Sequence, residues 1–104
     1  MNHNSRMIEI RKTQLYQQWF DGLRDKATRL RLEVRVRRLS LGNPGQHRVL
    51  TGGVTEMKLD FGPGYRVYYT QRGNELLLLL VGGNKSTQQR DIDTALQLAK
   101  EWQP

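Results

Sequence analysis

The residues best suited to chemistry lie on either side of Gly62-Pro63-Gly64. Ahead of this tight turn stand Glu56, Lys58 and Asp60, alternating with Thr55, Met57, Leu59 and Phe61. After it, Arg66 and Tyr68 alternate with Tyr65, Val67 and Tyr69. Side chains on a strand point alternately to opposite faces, so the even-numbered positions share one face of a hairpin. If Phe61 opposes Tyr65, then Asp60 opposes Arg66, Lys58 opposes Tyr68 and Glu56 opposes Thr70. The odd face is apolar and belongs against helices, which leaves the even face open. Two cations, an acid and a tyrosine on an open sheet face suit a phosphate: Arg grips two phosphate oxygens and Lys adds a point charge. The competing expectation is an ordinary solvated face with Lys58–Asp60 and Asp60–Arg66 pairs.

A further cation, Lys85, follows the most apolar run of the chain and precedes Ser86 and Thr87, which open a helix. A helix N-terminus beside a lysine is a plausible anion site. The string Gly83-Asn84-Lys85-Ser86-Thr87 is only the end of a P-loop. The first glycine of that motif is missing and Asn84 replaces the second, so it does not signal a nucleotide triphosphatase. His3 and His47 lack partners at metal-ligand spacing, and His47 at a strand start reads as a polar rim residue. Cysteine is absent, which excludes disulfides, thiolate metal sites and cysteine nucleophiles. The residues call for no metal and no cofactor.

These side chains must be positioned by short elements. Residues 7–11 read as an opening strand. Thr13 caps a helix in which Tyr16, Phe20, Leu23, Ala27, Leu30 and Val34 make a 4-3-4-3-4 stripe. Gly22 weakens its middle and Asp25 is a good N-cap. Two helices over 13–23 and 26–40, bent into a hairpin, are therefore expected. Leu32, Val36 and Leu39 widen the apolar side of the second. Its other side carries Lys26, Arg29, Arg31, Arg35, Arg37 and Arg38, either a ridge that tracks phosphates or a solvated face. Gly42 and Pro44 end it. Strands follow over 47–50, 55–61, 65–70 and 75–81. The last is continuously apolar, as a central strand buried on both faces should be, and Gly82-Gly83-Asn84 breaks it. Ser86-x-x-Gln89 resembles a capping box, and Asp91 and Asp93 suit the dipole of the final helix. Ile92, Ala95, Leu96, Ala99 and Trp102 face the core, and Trp19 is a core residue of the first helix. The order β-α-α-β-β-β-β-α describes an α+β domain with helices packed on an antiparallel sheet.

The chain has 104 residues, enough for one domain. Its 17 Lys and Arg against 10 Asp and Glu give a formal charge of +7. A basic excess points to an anionic partner: nucleic acid first, an acidic protein second, a membrane surface third. The longest apolar run, residues 76–81, is far short of the ~20 residues a membrane helix needs. Residues 1–6 have no apolar core of the kind a secretory signal needs and read as a flexible extension.

Several strings together resemble a known family. They are Trp19-Phe20-Asp21-Gly22-Leu23-Arg24-Asp25 and Arg38-Leu39-Ser40-Leu41-Gly42-Asn43-Pro44-Gly45. They continue through Gly62-Pro63-Gly64-Tyr65-Arg66-Val67-Tyr68-Tyr69 and Gly82-Gly83-Asn84-Lys85-Ser86-Thr87-Gln88. The pattern is similar to the phage-derived, HigB-like "addiction module killer" branch of the RelE/ParE toxin superfamily, over nearly the whole chain. The resemblance implies a cytoplasmic toxin of a type II toxin–antitoxin system that cuts mRNA in the ribosomal A site. The RNA's own 2′-hydroxyl attacks the adjacent phosphate and no metal is needed. It implies an acidic cognate antitoxin, contact with the ribosome and mRNA, operator DNA only through the antitoxin, and no membrane partner. The family's sheet-face cations fall on Lys58 and Arg66, with Lys85 as the third. They would stabilise charge growing on the phosphate. Glu56 would act as base or orient Lys58. Tyr68 would stack on a base, and Arg48, Arg35, Arg38 and Arg90 are the remaining candidate RNA contacts. The C-terminal His or Tyr that such enzymes often carry is replaced here by Gln88, Gln89, Arg90 and Asp91. The same superfamily holds ParE-like gyrase poisons, and a non-catalytic nucleic-acid-binding module is a third alternative, because fold alone does not decide function.

Overall fold

The computed structural model describes residues 7–102. The expectations for residues 1–6, including His3, fall outside them. Strand β1 (Glu9–Lys12) leads into helices α1 (Gln14–Asp21) and α2 (Lys26–Ser40). Strands β2 (His47–Val49), β3 (Val54–Lys58), β4 (Arg66–Arg72) and β5 (Leu76–Gly83) follow, and helix α3 (Gln88–Glu101) ends the chain after a short 3₁₀ turn. The fold is α+β, in the expected order of elements.

The helix starts follow from side-chain oxygens at the predicted positions. The Thr13 hydroxyl accepts from the Tyr16 amide, and it donates to the Leu80 carbonyl of β5, which ties α1 to the sheet. The Asp25 carboxylate accepts from the Ala27 amide and the Thr28 hydroxyl. Those bonds hold its carboxyl below the usual carboxylate range, the Thr28 bond contributing most. Gly42, with φ of +91°, follows the Leu41 cap of α2 in the left-handed conformation that glycine tolerates.

The sheet order is β1-β5-β4-β3-β2. Four strands pair antiparallel in sequence, as expected. The sheet is nonetheless mixed, because β1 lies parallel to β5 (Glu9 opposite Leu76, Lys12 opposite Leu79). The long α1–α2 crossover makes that orientation possible, since parallel neighbours need a connection of a dozen or more residues. β5 therefore has neighbours on both edges and layers on both faces, which accounts for its unbroken apolar run.

Glycines 82 and 83 do not break β5. They continue it, and their lack of a side chain is what the packing requires. A Cβ on Gly82 would lie 2.2 Å from the Trp19 ring, and one on Gly83 would collide with the Asp91 carboxylate. An extra residue at Leu80 makes a bulge opposite Tyr68 and Tyr69.

Two cores flank the sheet. On one face α1 and α2 cover Met57, Leu59, Val67, Tyr69, Leu77 and Leu79 with Tyr16, Phe20, Leu32 and Leu39. On the other, α3 covers Val54, Tyr68, Leu78, Leu80 and Val81 with Ala95, Ile92, Leu96 and Trp102. The buried stripe of α2 is Thr28, Leu32 and Leu39, with Val36 half-buried. Ala27, Leu30 and Val34, expected inside, are exposed. The helix carries two apolar stripes, and the sheet takes only one of them. Trp19 and Trp102 pack at the edges of the two cores and are half-buried.

Candidate cationic cleft

Register brings the cations together. Lys58, the last residue of β3, pairs with Arg66, the first of β4, and Arg66 pairs with Gly83 at the end of β5. Three strand ends thus lie side by side at one end of the sheet, and Lys85 follows Gly83 by two residues. The hairpin is two residues out of the expected register: Glu56 opposes Tyr68 and Val54 opposes Thr70. The slip is even, so every side chain keeps the face it was assigned. Asp60 falls outside the ladder and pairs with Lys58 (Nζ to Oδ1, 3.7 Å), while Arg66 faces Glu56 instead.

The Gly62-Pro63-Gly64 turn forms a wall of the cleft that Lys58, Arg66 and Lys85 line. The Lys85 amide donates to the Pro63 carbonyl (3.2 Å), which fastens the 3₁₀ turn to this loop. Gly64, at φ of +78°, leaves room for the Arg66 guanidinium: an added Cβ would sit 3.1 Å from Nη1. That Nη1 donates to the Gly64 carbonyl at 2.7 Å.

Arg66 is held from behind by a buried carboxylate. Glu56 Oε2 accepts from the Tyr68 hydroxyl (2.8 Å) and the Gln88 amide (2.9 Å), and Arg66 Nε approaches it at 3.6 Å. Glu56 Oε1 pairs with Arg48 at 3.2 Å. Glu56 and Arg66 are only 5% and 6% exposed. Arg66 Nε is buried and makes no hydrogen bond. Glu56 touches Arg66 and Arg48 rather than Lys58, and its buried oxygens are already engaged by donors. The geometry makes it a positioning carboxylate for Arg66.

The even face is not open. α3 lies across it, and this overturns the exposed role expected for Tyr68, which has no exposed surface. Burial, and then its bond to Glu56, pushes the Tyr68 hydroxyl far above the ordinary tyrosine range. A ring sealed beneath a helix cannot stack on a base. What remains accessible is the cleft at the strand ends, where half-buried Lys58 and exposed Lys85 flank the buried Arg66. Arg48 lies in the adjoining cleft with Glu56, Lys58, Arg66 and Gln88. Arg35 and Arg38 lie elsewhere, beside a groove on the α2 side of the turn. Arg35 is spent on backbone carbonyls, donating to Lys58 (2.9 Å) and Pro44 (3.0 Å). Arg90 is exposed on α3, 3.8 Å from Asp91, and lines neither cleft. His47 opposes Met57 in the ladder, and it also lines the adjoining cleft with Arg48, Glu56, Lys58 and Arg66.

Gln88 is the site residue that sequence reasoning missed. It occupies the first position of α3 and reaches Glu56 across 32 residues. Its signals were its place just after Lys85-Ser86-Thr87 and in the stretch where such enzymes often carry a His or Tyr. The capping there also differs from expectation. Asn84, not Ser86, caps the turn, and it forms a reciprocal box with Thr87. The Thr87 hydroxyl also donates to Asp91, under Gly83. Asp91 alone lies in the first turn of α3. Among the described residues, no group of three or more His, Cys, Asp or Glu is placed to hold a metal ion.

No known family profile matches the chain. An uncharacterized protein of Haemophilus influenzae is 37% identical over 94 residues, covering 90% of this chain and 95% of that protein. The chain belongs to that protein's family. The match takes in nearly the full length of both, so helical hairpin, sheet and α3 all fall within a shared domain rather than a borrowed segment.

Proposed function

We propose that the protein is the toxin of a type II toxin–antitoxin system, a ribosome-dependent endoribonuclease of the RelE/ParE superfamily's HigB-like branch. The observation that carries this reading is the convergence of Lys58, Arg66 and Lys85 on one cleft from three separate strand ends. The motif resemblance supplies the class. The geometry supports it by giving a phosphate three cations, one of them buried and backed by a carboxylate. In the proposed step the substrate's 2′-hydroxyl gives its proton to solvent water and attacks the neighbouring phosphorus; the 5′-oxygen leaves, taking a proton from water, as a 2′,3′-cyclic phosphate forms. Arg66, held by Glu56 and Gly64, stabilises the charge that grows on the non-bridging oxygens. Half-buried Lys58 and exposed Lys85 supply the point charges on either side. The proposal includes a cytoplasmic location, an acidic antitoxin as partner, the ribosome and mRNA as target, and operator DNA only through the antitoxin. No helix among the described residues is long and apolar enough to cross a membrane.

The test is 5′-end mapping of cellular mRNA after brief induction. Wild type should produce new ends inside translated frames. Lys58→Ala and Lys85→Ala, both at accessible positions, should reduce them about 10²-fold or more each while the protein stays folded, the scale of losing one transition-state contact. Arg66→Ala should abolish them. Growth arrest with DNA-damage signalling and no cuts would replace the nuclease with a gyrase poison.

A further inference from the structure

A pocket of about 300 Å³ lies between the edge strand β1 and the helical hairpin, and it shares no residue with the cationic cleft. β1 contributes Ile10 and Lys12, α1 contributes Tyr16 and Phe20, and α2 contributes Glu33, Val36 and Arg37. Each set follows the period of its own element, so each element turns one flank to the same space. The floor is apolar: Phe20 is buried, and Ile10 and Val36 are half-buried. The rim carries exposed Lys12, Glu33 and Arg37, and among the described residues none of the three makes an ion pair. The Tyr16 hydroxyl finds no hydrogen-bond partner among the described residues, and burial, then the neighbouring Glu33 carboxylate, pushes it above the ordinary tyrosine range, so it stays a donor. The backbone adds polar groups to the same place. The Glu9 and Thr13 amides donate toward β5, to the Glu75 and Leu79 carbonyls, while the Ile8 amide points the other way and donates to the Ser40 carbonyl at the end of α2 (2.7 Å). By that alternation the Ile10 amide and carbonyl face the open edge. Ser40 closes this edge at Ile8 and α1 begins soon after Lys12. The two positions left between them are too few to pair with a further strand.

We propose that this pocket binds a free α-amino acid with an apolar side chain. The ligand's carboxylate lies toward Arg37, Lys12 and the Tyr16 hydroxyl. Its ammonium faces Glu33 and the Ile10 carbonyl, and its side chain rests on Ile10, Phe20 and Val36. Rim charges of both signs select a zwitterion, because a simple anion leaves Glu33 facing no cation and a simple cation leaves Lys12 and Arg37 facing no anion. The apolar floor selects the side chain, and a volume at the low end for ligand sites suits a molecule this small. The site is separate from the cleft, so its chemistry stands whether or not the cleft cuts RNA.

The Tyr16 and Trp19 ring centroids are 5.7 Å apart, so Trp19 can report an occupant. The experiment is a fluorescence titration of the full chain carrying Trp102→Phe, which leaves Trp19 as the sole tryptophan, together with thermal melting of the unsubstituted chain. At least one of L-leucine, L-methionine and L-phenylalanine should give a saturating signal and raise the melting temperature. Isocaproate, which lacks the ammonium, and isoamylamine, which lacks the carboxylate, should bind about tenfold or more weakly than L-leucine. Arg37→Ala should weaken the amino acid by a similar factor, and Glu33→Gln should weaken it while leaving isocaproate unaffected. The proposal is overturned if none of the three amino acids changes either readout at millimolar concentration, if isocaproate or isoamylamine binds as tightly as L-leucine, or if Glu33→Gln leaves amino-acid binding unchanged. A leucine dipeptide blocked at both ends that binds as tightly would assign the edge to a polypeptide and overturns it equally. Binding should be the same in Lys58→Ala protein, whatever that variant does to messenger RNA, which separates this outcome from the fate of the nuclease reading.

Discussion

The two faces of the sheet are built from different materials. Beneath α1 and α2 the core is almost wholly apolar: Tyr16, Phe20, Leu32, Leu39, Met57, Val67 and Leu79 pack with little polar chemistry beyond tyrosine hydroxyls. Beneath α3 an apolar half around Leu80, Ala95 and Trp102 gives way to a buried polar half that holds Glu56, Arg66, Tyr68 and Asp91. Burying charges costs free energy that their mutual attraction only partly returns. The face under the helical hairpin thus serves mainly stability, and the face under α3 gives up some stability to hold Arg66 in one place. The cationic cleft opens where that second face reaches the strand ends.

Substitutions can sharpen that contrast. Glu56→Ala should have the largest effect, about 3–5 kcal/mol in urea unfolding, because it leaves the Arg66 guanidinium buried without its counter-charge. If the loss is under ~1 kcal/mol, the carboxylate does not organise the face as its contacts suggest. Leu32→Ala tests the other face. It should cost about 2–5 kcal/mol by removing a fully buried side chain. The proposed nuclease activity of the folded fraction should not change, whereas Glu56→Ala should lower both stability and that activity. Tyr68→Phe should cost about 1.5–3 kcal/mol, the range for a hydrogen bond to a charged group. A loss no greater than that of an exposed tyrosine would remove Tyr68 from the network.

The tyrosines give a pH test that reaches both faces. Burial raises the hydroxyl pKa of Tyr16, Tyr68 and Tyr69, in Tyr68 with help from the bond to Glu56. A group whose folded pKa is raised stabilises the protein fully below its unfolded pKa, near 10 for tyrosine. That contribution is lost progressively as pH rises above 10. Circular dichroism followed together with tyrosinate absorbance should therefore show cooperative unfolding in that window, with the buried rings ionising only as the fold opens. Non-cooperative ionisation ahead of unfolding would mean that the rings are not sealed. The smallest effect belongs to the rim. The Arg72 guanidinium lies 4.6 Å over the Trp102 ring, and Arg72→Ala should cost about 0.5–1 kcal/mol by thermal melting.

Much of this architecture was written in local pattern. Thr13 and Asp25 cap the helices that they announced, Gly42 ends α2, and period-two alternation separated Met57, Leu59 and Val67 from Glu56, Lys58 and Arg66. The site was partly legible in the same way. Parity alone placed Lys58 and Arg66 on one face, and parity survived a two-residue error in register. Gln88 was not legible, because its partner Glu56 lies far away in sequence and an amide carries no motif.

What the sequence determined by itself was the set of elements, their order, and which side chains share a face, since these depend on backbone periods and on capping a few residues away. What only the tertiary structure decided was which faces are covered. α3 seals the polar face and turns Tyr68 from an expected base-stacking ring into a buried donor to Glu56. α2 offers two apolar stripes and the sheet accepts only Leu32 and Leu39, leaving Leu30 and Val34 exposed. β1 enters parallel to β5. The physical reason is common to all three. A stripe of side chains records what an element can pack against, but coverage depends on the neighbours that arrive, and a buried ion pair has the same residue types as a solvated one.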